Sequence, residues 1–138
     1  MRLWHKDLIP YLPRQQLLGQ WRECCLIAKT IKEKGTPNHI LVNKIMNYPI
    51  HDFVHYTTLV YYEMYERHYK ANFYKFEQYF PDYVGSNWKY DDLFKNWHND
   101  RYLTQCYYNL QEKYDCGGMT AEEWRRIHNF YMDVMYRE

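Results

Sequence analysis

The sequence predicts an all-α protein, and two observations support this fold class. Apolar residues recur every three or four positions along several segments, which is the period of an amphipathic helix. No stretch alternates apolar and polar residues in the manner of a strand. With 138 residues, 46% of them hydrophobic and 25% charged, the chain suits one domain with a packed core. We therefore expect a compact single-domain fold over residues 1–138, built from about four to five helices.

The clearest predicted helix runs from Arg14 to Lys34. Residues 1–12 form an irregular lead-in, and Pro13 suits the first turn because it has no amide hydrogen to leave unpaired. Gly35 supplies a left-handed stop. The apolar stripe of this helix comprises Leu17, Leu18, Trp21, Cys24, Cys25, Ala28 and Ile31.

Two helical segments are predicted next along the chain. Asn38 is placed to cap a short helix from about His39 to Asn47. Pro49 then opens a longer helix that ends near Lys70. The side chains expected to face inward on the longer helix are Phe53, Val54, Tyr61, Met64 and Tyr65.

The segment from 71 to 97 is rich in aromatic residues but has poor periodicity. Pro81, Gly85 and Ser86 interrupt it, which predicts a short helix and an extended loop.

Two further helices are predicted toward the end of the chain. The first begins at Asn99 or Asp100 and ends at Gly117-Gly118. Thr120 and Glu123 form a capping box that opens the second. The apolar stripes of the two helices are Leu103, Cys106, Tyr107, Leu110 and Tyr114, followed by Trp124, Ile127, Tyr131 and Val134.

Composition and charge restrict the class of protein. No uncharged apolar run approaches the ~18 residues of a membrane span, and early Lys6 and Asp7 do not fit a signal peptide, so we expect a cytoplasmic protein. The four cysteines, at 24, 25, 106 and 116, lack C-x-x-C spacing and are interpreted as reduced thiols. A net charge of +1 is low for a nucleic-acid binder, although local basic patches matter more than the sum.

The first predicted helix also carries a polar side with residue types that can take part in catalysis or binding. A glycine inside a helix costs about 1 kcal/mol relative to alanine, so Gly19, one turn before Glu23, indicates either a close approach or tight helix packing. Arg22 and Glu23 are either a functional pair or a solvated face. The residues on this side are Gln16, Gly19, Gln20 and Glu23.

Three short segments carry a family resemblance: Met-Arg-Leu-Trp at residues 1–4, Arg-Gln-Gln-Leu at 14–17, and Trp-Arg-Glu at 21–23. Together they resemble the opening of the pyrimidine-dimer DNA glycosylases of the phage endonuclease V type. Members of that family start with a free amine next to an arginine and carry an aromatic-Arg-Glu triplet on the first long helix. The resemblance implies the helical fold of that family.

The resemblance also implies a reaction and its residues. The α-amine of Met1 would attack the sugar C1′ of a damaged nucleotide, release the base and form an imine, after which elimination breaks the strand. Glu23 would transfer the protons, while Arg2 and Arg22 would bind phosphates, with Gln15 as a further DNA contact. The partner would be damaged double-stranded DNA, bound by a monomer that needs neither cofactor nor metal. An α-amine suits this role because such amines ionise near pH ~7.7–8.0, against ~10.4 for lysine.

The sequence departs from the family pattern at two places. Met1 directly precedes Arg2, where the best-known members expose a small residue, so we take deformylated Met1 itself as the source of the amine. Leu26 replaces a basic residue one turn after the glutamate. The preferred lesion does not follow from the sequence.

Other patterns support alternative hypotheses. His51 and His55 have the i, i+4 spacing used by zinc peptidases, but no third ligand is apparent, so no metal site is predicted. Arg125 and Arg126 are either a DNA-facing pair or surface charges. A non-catalytic DNA- or RNA-binding module and a helical interaction protein remain the alternatives to an enzyme.

Overall fold

The computed structural model describes residues 1–83, 85 and 87–137. It is 64% helical, with no strand among these residues, which confirms the predicted all-α class. The α-helices are α1 (Arg14–Lys34), α2 (Ile50–Glu66), α3 (Tyr74–Glu77), α4 (Asp100–Asp115) and α5 (Ala121–Met135). Short 3-10 helices span Lys6–Tyr11, Asn43–Asn47 and Tyr90–Asp92. Ser86, predicted to interrupt the 71–97 segment, lies outside the described residues.

Helix α1 has the predicted bounds. Pro13 occupies the N-cap position, and Gly35 ends the helix with a φ of 77°, the left-handed conformation in which glycine is least strained. The buried side of the helix consists of Leu17, Gln20, Trp21, Cys24, Ile27, Ala28 and Ile31. Gln20 was therefore placed on the wrong side by the sequence prediction, because it belongs to the buried stripe.

Helix α2 packs against α1 and begins after Pro49 as predicted. It ends at Glu66 rather than near Lys70, because Arg67 leaves the helix and His68 adopts a positive φ of 62°. The inward placement of Tyr65 was wrong, since this side chain is 67% exposed.

The segment between α1 and α2 differs from the prediction. Asn38 does not cap a helix, because it has a left-handed φ of 57°, and residues 39–42 form a turn instead. Only Asn43–Asn47 is helical, as one 3-10 turn anchored by buried Ile45.

Helices α4 and α5 form an antiparallel pair joined by a short turn. Asn99 caps α4 and Gly117 lies in the turn with a φ of 81°. The predicted capping box of Thr120 and Glu123 is present at the start of α5. The pair is held by aromatic stacking, with the Tyr107 and Tyr131 rings 3.8 Å apart.

The lead-in before α1 is part of the core, and its prediction as irregular was wrong for Lys6–Tyr11, which forms a 3-10 helix. Leu3 and Leu8 are fully buried, and Lys6 is 8% exposed. The ammonium of Lys6 donates to the Leu93 carbonyl at 3.0 Å and to that of Tyr90 at 2.7 Å. The lead-in therefore joins the loop before α4 to the face of α1 and α2.

Among the described residues, no helix has the length and apolarity to cross a membrane. The four cysteines are free thiols, as predicted. Burial raises the pKa of Cys24 and also that of Cys25, the latter to about 11. Both thiols are therefore neutral at physiological pH and serve in packing.

Candidate active site

Gln20 connects the first residues of the chain to α1. Its amide oxygen accepts a hydrogen bond from the Trp4 N–H at 2.8 Å, and its amide nitrogen donates to the Arg2 carbonyl at 3.0 Å. The side chain is 1% exposed, the bond to Trp4 is buried, and the bond to Arg2 is partly buried. A buried primary amide bonded at both ends fixes the backbone of residues 2–4 in one orientation.

Two tyrosines complete the attachment of this segment. The Tyr56 hydroxyl, on α2, donates to the Trp4 carbonyl at 2.6 Å and lies 3.0 Å from the Gln20 amide oxygen. The Tyr102 hydroxyl, on α4, donates to the Leu3 carbonyl at 2.5 Å. Burial raises the pKa of Tyr56 and of Tyr102, so both hydroxyls keep the donated proton. Helices α1, α2 and α4 thus each contribute one side chain to what we call the N-terminal clamp: Gln20, Tyr56 and Tyr102.

Glu23 lies on α1 one turn beyond Gln20, the clamp residue that bonds to residues 2 and 4. Gln20 and Glu23 are three residues apart on α1, and side chains at this spacing are neighbours on a helix surface. Glu23 is half-buried, and its carboxylate makes no hydrogen bond or ion pair with any described residue. Met1 precedes the clamped segment and is 38% exposed. A half-buried carboxylate without a partner among the described residues is a group that can exchange protons with a bound molecule.

Arg2 lies at the same place, with its guanidinium carbon 5.3 Å from the centre of the Trp4 ring. Arg2 is also near Cys106 on α4. Burial raises the pKa of the Cys106 thiol, and the positive charge of Arg2 partly opposes this increase. Arg2 is half-buried, so part of this residue remains open to solvent.

Gln15 and Arg22 lie seven residues apart on α1, so they share one face two helical turns apart. Both are exposed. Between them is Gly19, where an added Cβ would meet only Arg22 Nη2, at 3.9 Å. Helix packing therefore does not explain Gly19, because no neighbouring backbone approaches it. The glycine instead leaves a shallow open surface beside the Arg22 guanidinium.

A cavity of about 350 Å³ opens beside Arg2. It lies between α4 and the turn that follows α1. The lining combines cations, aromatic rings, amides and aliphatic groups, from Arg2, Ile40, Leu41, Lys44, Trp97, Tyr102, Gln105 and Asn109. These are groups that bind phosphate, stack on planar rings or hydrogen-bond polar edges.

The predicted histidine pair and the two arginines of α5 do not line the cavity beside Arg2. His51 packs between Trp88 and Tyr83, and no group of three or more His, Cys, Asp or Glu side chains among the described residues could hold a metal ion. Arg125 contacts the Glu122 carboxylate at 2.5 Å. Arg126 donates to the Pro10 carbonyl at 3.3 Å. Both arginines are thus engaged by neighbouring groups of the protein.

The sequence analysis named Gln20 but placed it on the polar side of the helix, and it missed the other two members of the N-terminal clamp, Tyr56 and Tyr102. A signal for Gln20 was present, because this residue follows Leu17 by three and precedes Cys24 by four, at the spacing of the buried stripe. Tyr56 and Tyr102 are indistinguishable by sequence from the other tyrosines, since their partners are backbone carbonyls remote in the chain.

The fold and the site define an all-α protein whose amino-terminal segment is held by hydrogen bonds from α1, α2 and α4, and whose Glu23 carboxylate, on α1, has no partner among the described residues. Residues 1–76, more than half of the chain, match the family described as pyrimidine dimer DNA glycosylase. The chain therefore belongs to the pyrimidine dimer DNA glycosylase family, as the resemblance of its first 23 residues indicated. No curated protein and no solved structure matches the chain. The matched residues include Gln20 and Tyr56, whereas Tyr102 follows them.

Proposed function

We propose that this protein is a DNA glycosylase for pyrimidine dimers that also cleaves the strand, with the Met1 α-amine as nucleophile and Glu23 as the acid and base. Family membership supports the glycosylase class and a DNA substrate. The observation that supports the finer proposal is the pair of hydrogen bonds between Gln20 and residues 2 and 4, since it attaches the start of the chain to α1 at a residue one turn before Glu23.

In the first stage, the nitrogen lone pair of Met1 forms a bond to C1′ of the damaged nucleotide. The glycosidic C–N bond breaks, and the departing base takes up the proton that the Met1 amine loses after it has bonded to C1′. Opening of the sugar ring then gives a protonated imine between Met1 and C1′, with a second proton delivered to the ring oxygen. Glu23 is the group proposed to move this proton, which requires a carboxylate within hydrogen-bond reach.

In the second stage, Glu23 removes a proton from C2′, and the electron pair moves to expel the 3′ phosphate. The imine nitrogen withdraws electrons from C2′ and makes this proton removable by a carboxylate. Water then hydrolyses the imine and restores the amine. The Met1 amine, Glu23 and water account for the proton transfers of this scheme, and no cofactor enters it.

Arg2, Arg22 and Gln15 are the proposed DNA contacts. Arg22 is next to Glu23 on α1, whereas Arg2 lines a different cavity. Neither guanidinium forms an ion pair with a described carboxylate, which supports a role for each in binding phosphates. The open surface at Gly19 would let the sugar-phosphate backbone approach α1 closely. We propose that one copy of the chain, with residues 1–138 forming one domain, acts on one damaged duplex.

Borohydride trapping tests this proposal, because reduction of the imine leaves a stable protein-DNA adduct. The substrates are one duplex with a cyclobutane pyrimidine dimer and one with an abasic site. We expect adducts on both, which acetylation of the α-amine abolishes and Glu23→Gln strongly reduces. Glu33→Gln is the matched control, since Glu33 is exposed on the same helix.

Each other outcome contradicts a defined part of the proposal. Trapping that survives acetylation would replace Met1 by a lysine nucleophile, and an acetyl or formyl group on the native terminus would do the same. Trapping on the abasic duplex alone would indicate a lyase for another lesion. Salt-sensitive DNA binding with no adduct on either duplex would favour a non-catalytic binding module.

A further inference from the structure

The turn between α1 and α2 exposes two adjacent aliphatic side chains. Ile40 is 85% exposed and Leu41 is 49% exposed, and Ile40 is the most exposed large hydrophobic side chain among the described residues. We call these two residues the apolar tip. Single exposed aliphatic residues are common, but a neighbouring pair at the end of a turn needs a closer explanation.

The backbone that presents the apolar tip is held in place. The His39 carbonyl accepts from the Val42 N–H at 3.0 Å and from the Asn43 N–H at 2.9 Å. The Asn43 side chain accepts from the His39 N–H at 3.0 Å, and the Leu41 N–H donates to His39 Nδ1 at 3.2 Å. A loosely ordered loop could turn its aliphatic side chains inward, whereas this turn is fixed with them outward.

Burial of the next residues fixes the tip to the core. Val42 is fully buried, and Ile45 is 1% exposed. Two aliphatic residues of this short segment, Val42 and Ile45, therefore face the interior, while the two residues of the apolar tip face solvent. The apolar tip is therefore attached directly to the helical core and is held in a fixed position.

The apolar tip lies at the cavity beside Arg2. Ile40 and Leu41 line this cavity together with the cations Arg2 and Lys44, and its described lining contains no carboxylate. The surroundings thus favour a polyanion, while the tip itself favours an apolar surface. Stacked base pairs inside a phosphate backbone combine both properties.

We propose that Ile40 and Leu41 form a wedge that enters the base stack of duplex DNA at the lesion and fills the space left by an extruded nucleotide. Aliphatic side chains that enter a base step unstack it, and a damaged step costs less to open. Two side chains suffice for this role, whereas a stable protein interface needs about 800 Å² per partner. The inference rests on the proposed function, because it takes the DNA bound at Arg2 as the occupant.

The test compares the double variant I40S/L41S with wild type on two substrates. One is a dimer duplex with 2-aminopurine opposite the lesion, whose fluorescence rises on unstacking. The other is a single-stranded abasic oligonucleotide, in which no base has to leave a stack. We expect the ratio of dimer incision to abasic trapping to fall about tenfold in I40S/L41S, with loss of the fluorescence rise.

Two matched variants control for general effects. Met46→Ser removes a side chain that is 46% exposed on the same segment and does not line the cavity, so the ratio should be unchanged. The variant I40L/L41M keeps aliphatic bulk and should retain both the ratio and the fluorescence rise. Thermal melting checks that each variant remains folded.

The outcomes separate the wedge from the proposed function. An I40S/L41S protein with a wild-type ratio and fluorescence rise would overturn the wedge while the trapped adduct still supports the lyase. A fluorescence rise that depends on the tip, without any adduct, would support the wedge and reject the lyase. Loss of self-association in I40S/L41S, with unchanged incision, would assign the tip to contact between copies of the chain and overturn the wedge.

Discussion

The Gln20 amide oxygen accepts a hydrogen bond from the Trp4 N–H at 2.8 Å, and this contact joins the start of the chain to α1. The two residues are 16 positions apart, so neither helix formation nor local turn chemistry produces the contact. Its position inside the core makes it expensive to lose, because a buried N–H without a partner is strongly unfavourable.

Replacing Gln20 by methionine tests the role of this contact. The variant keeps the length of the side chain but leaves the Trp4 N–H and the Arg2 carbonyl unpaired, so we expect the free energy of unfolding to fall by about 2–4 kcal/mol. Trapping on an abasic duplex should also slow at a temperature where the variant is fully folded. A variant that is less stable but traps at the wild-type rate would show that Gln20 does not position the amine. Gln111→Met on α4 is the control.

Tyr102, which follows the family-matched residues, also tests whether the N-terminal clamp positions the amine. Its replacement should destabilise the protein less than that of Gln20. Removal of its hydroxyl in Tyr102→Phe leaves the Leu3 carbonyl without its 2.5 Å partner. We expect a loss of about 1 kcal/mol in stability and a measurable decrease in trapping rate. Tyr108→Phe is the matched control, because Tyr108 is on the same helix and 56% exposed. Equal effects of the two variants on trapping would contradict the prediction.

The helices were predictable from the sequence because their signals are local. The α1 bounds follow from Pro13 and Gly35, and the α5 start follows from the capping box of Thr120 and Glu123. The segment after Asn38 was predicted wrongly, because a capping residue type also suits the left-handed turn that this asparagine adopts. Local patterns specify what a segment can form, while tertiary contacts choose among the possibilities.

The candidate site was predictable only in part, for a related physical reason. Glu23 and Arg22 are recognisable because they stand in a motif on one helix. The N-terminal clamp is not, because Tyr56 and Tyr102 bond to carbonyl groups 52 and 99 residues away. Contacts between side chains and remote backbone leave no periodic trace in a sequence.

Gly19→Ala should separate stability from activity. An alanine fits here without a clash, since its Cβ would lie 3.9 Å from Arg22 Nη2, and it would improve helix propensity. We expect the free energy of unfolding to rise by up to about 1 kcal/mol, measured by urea denaturation. Incision of a dimer duplex should decrease because the methyl group occupies space reserved for the DNA backbone. Unchanged incision would assign Gly19 no role in DNA binding.

Arg22→Ala should weaken DNA binding in a manner that depends on salt. The loss of one phosphate contact lowers the slope of log affinity against log salt by about one. Fluorescence anisotropy with a labelled duplex at several salt concentrations measures this slope. Arg125→Ala is the matched control, because Arg125 is already paired with Glu122. Equal changes in slope for the two variants would argue against Arg22 as a specific contact.

His98 should make the fold sensitive to mild acid. Burial lowers its pKa well below the ordinary histidine value of 6.5, and the charges of His5 and Lys6 add to the effect. Burial likewise lowers the pKa of His5, and His98 Nδ1 accepts from the Lys6 N–H at 2.9 Å. The unfolded chain therefore binds more protons than the folded one just below pH 6.5, so stability is full above that pH and declines as pH falls.

Urea denaturation from pH 7.5 down to about 5 should show this decline. His98→Asn keeps an acceptor for the Lys6 N–H and should flatten the decline, whereas His68→Asn, at an exposed position, should not. An unaltered pH dependence in His98→Asn would assign the acid sensitivity to other groups.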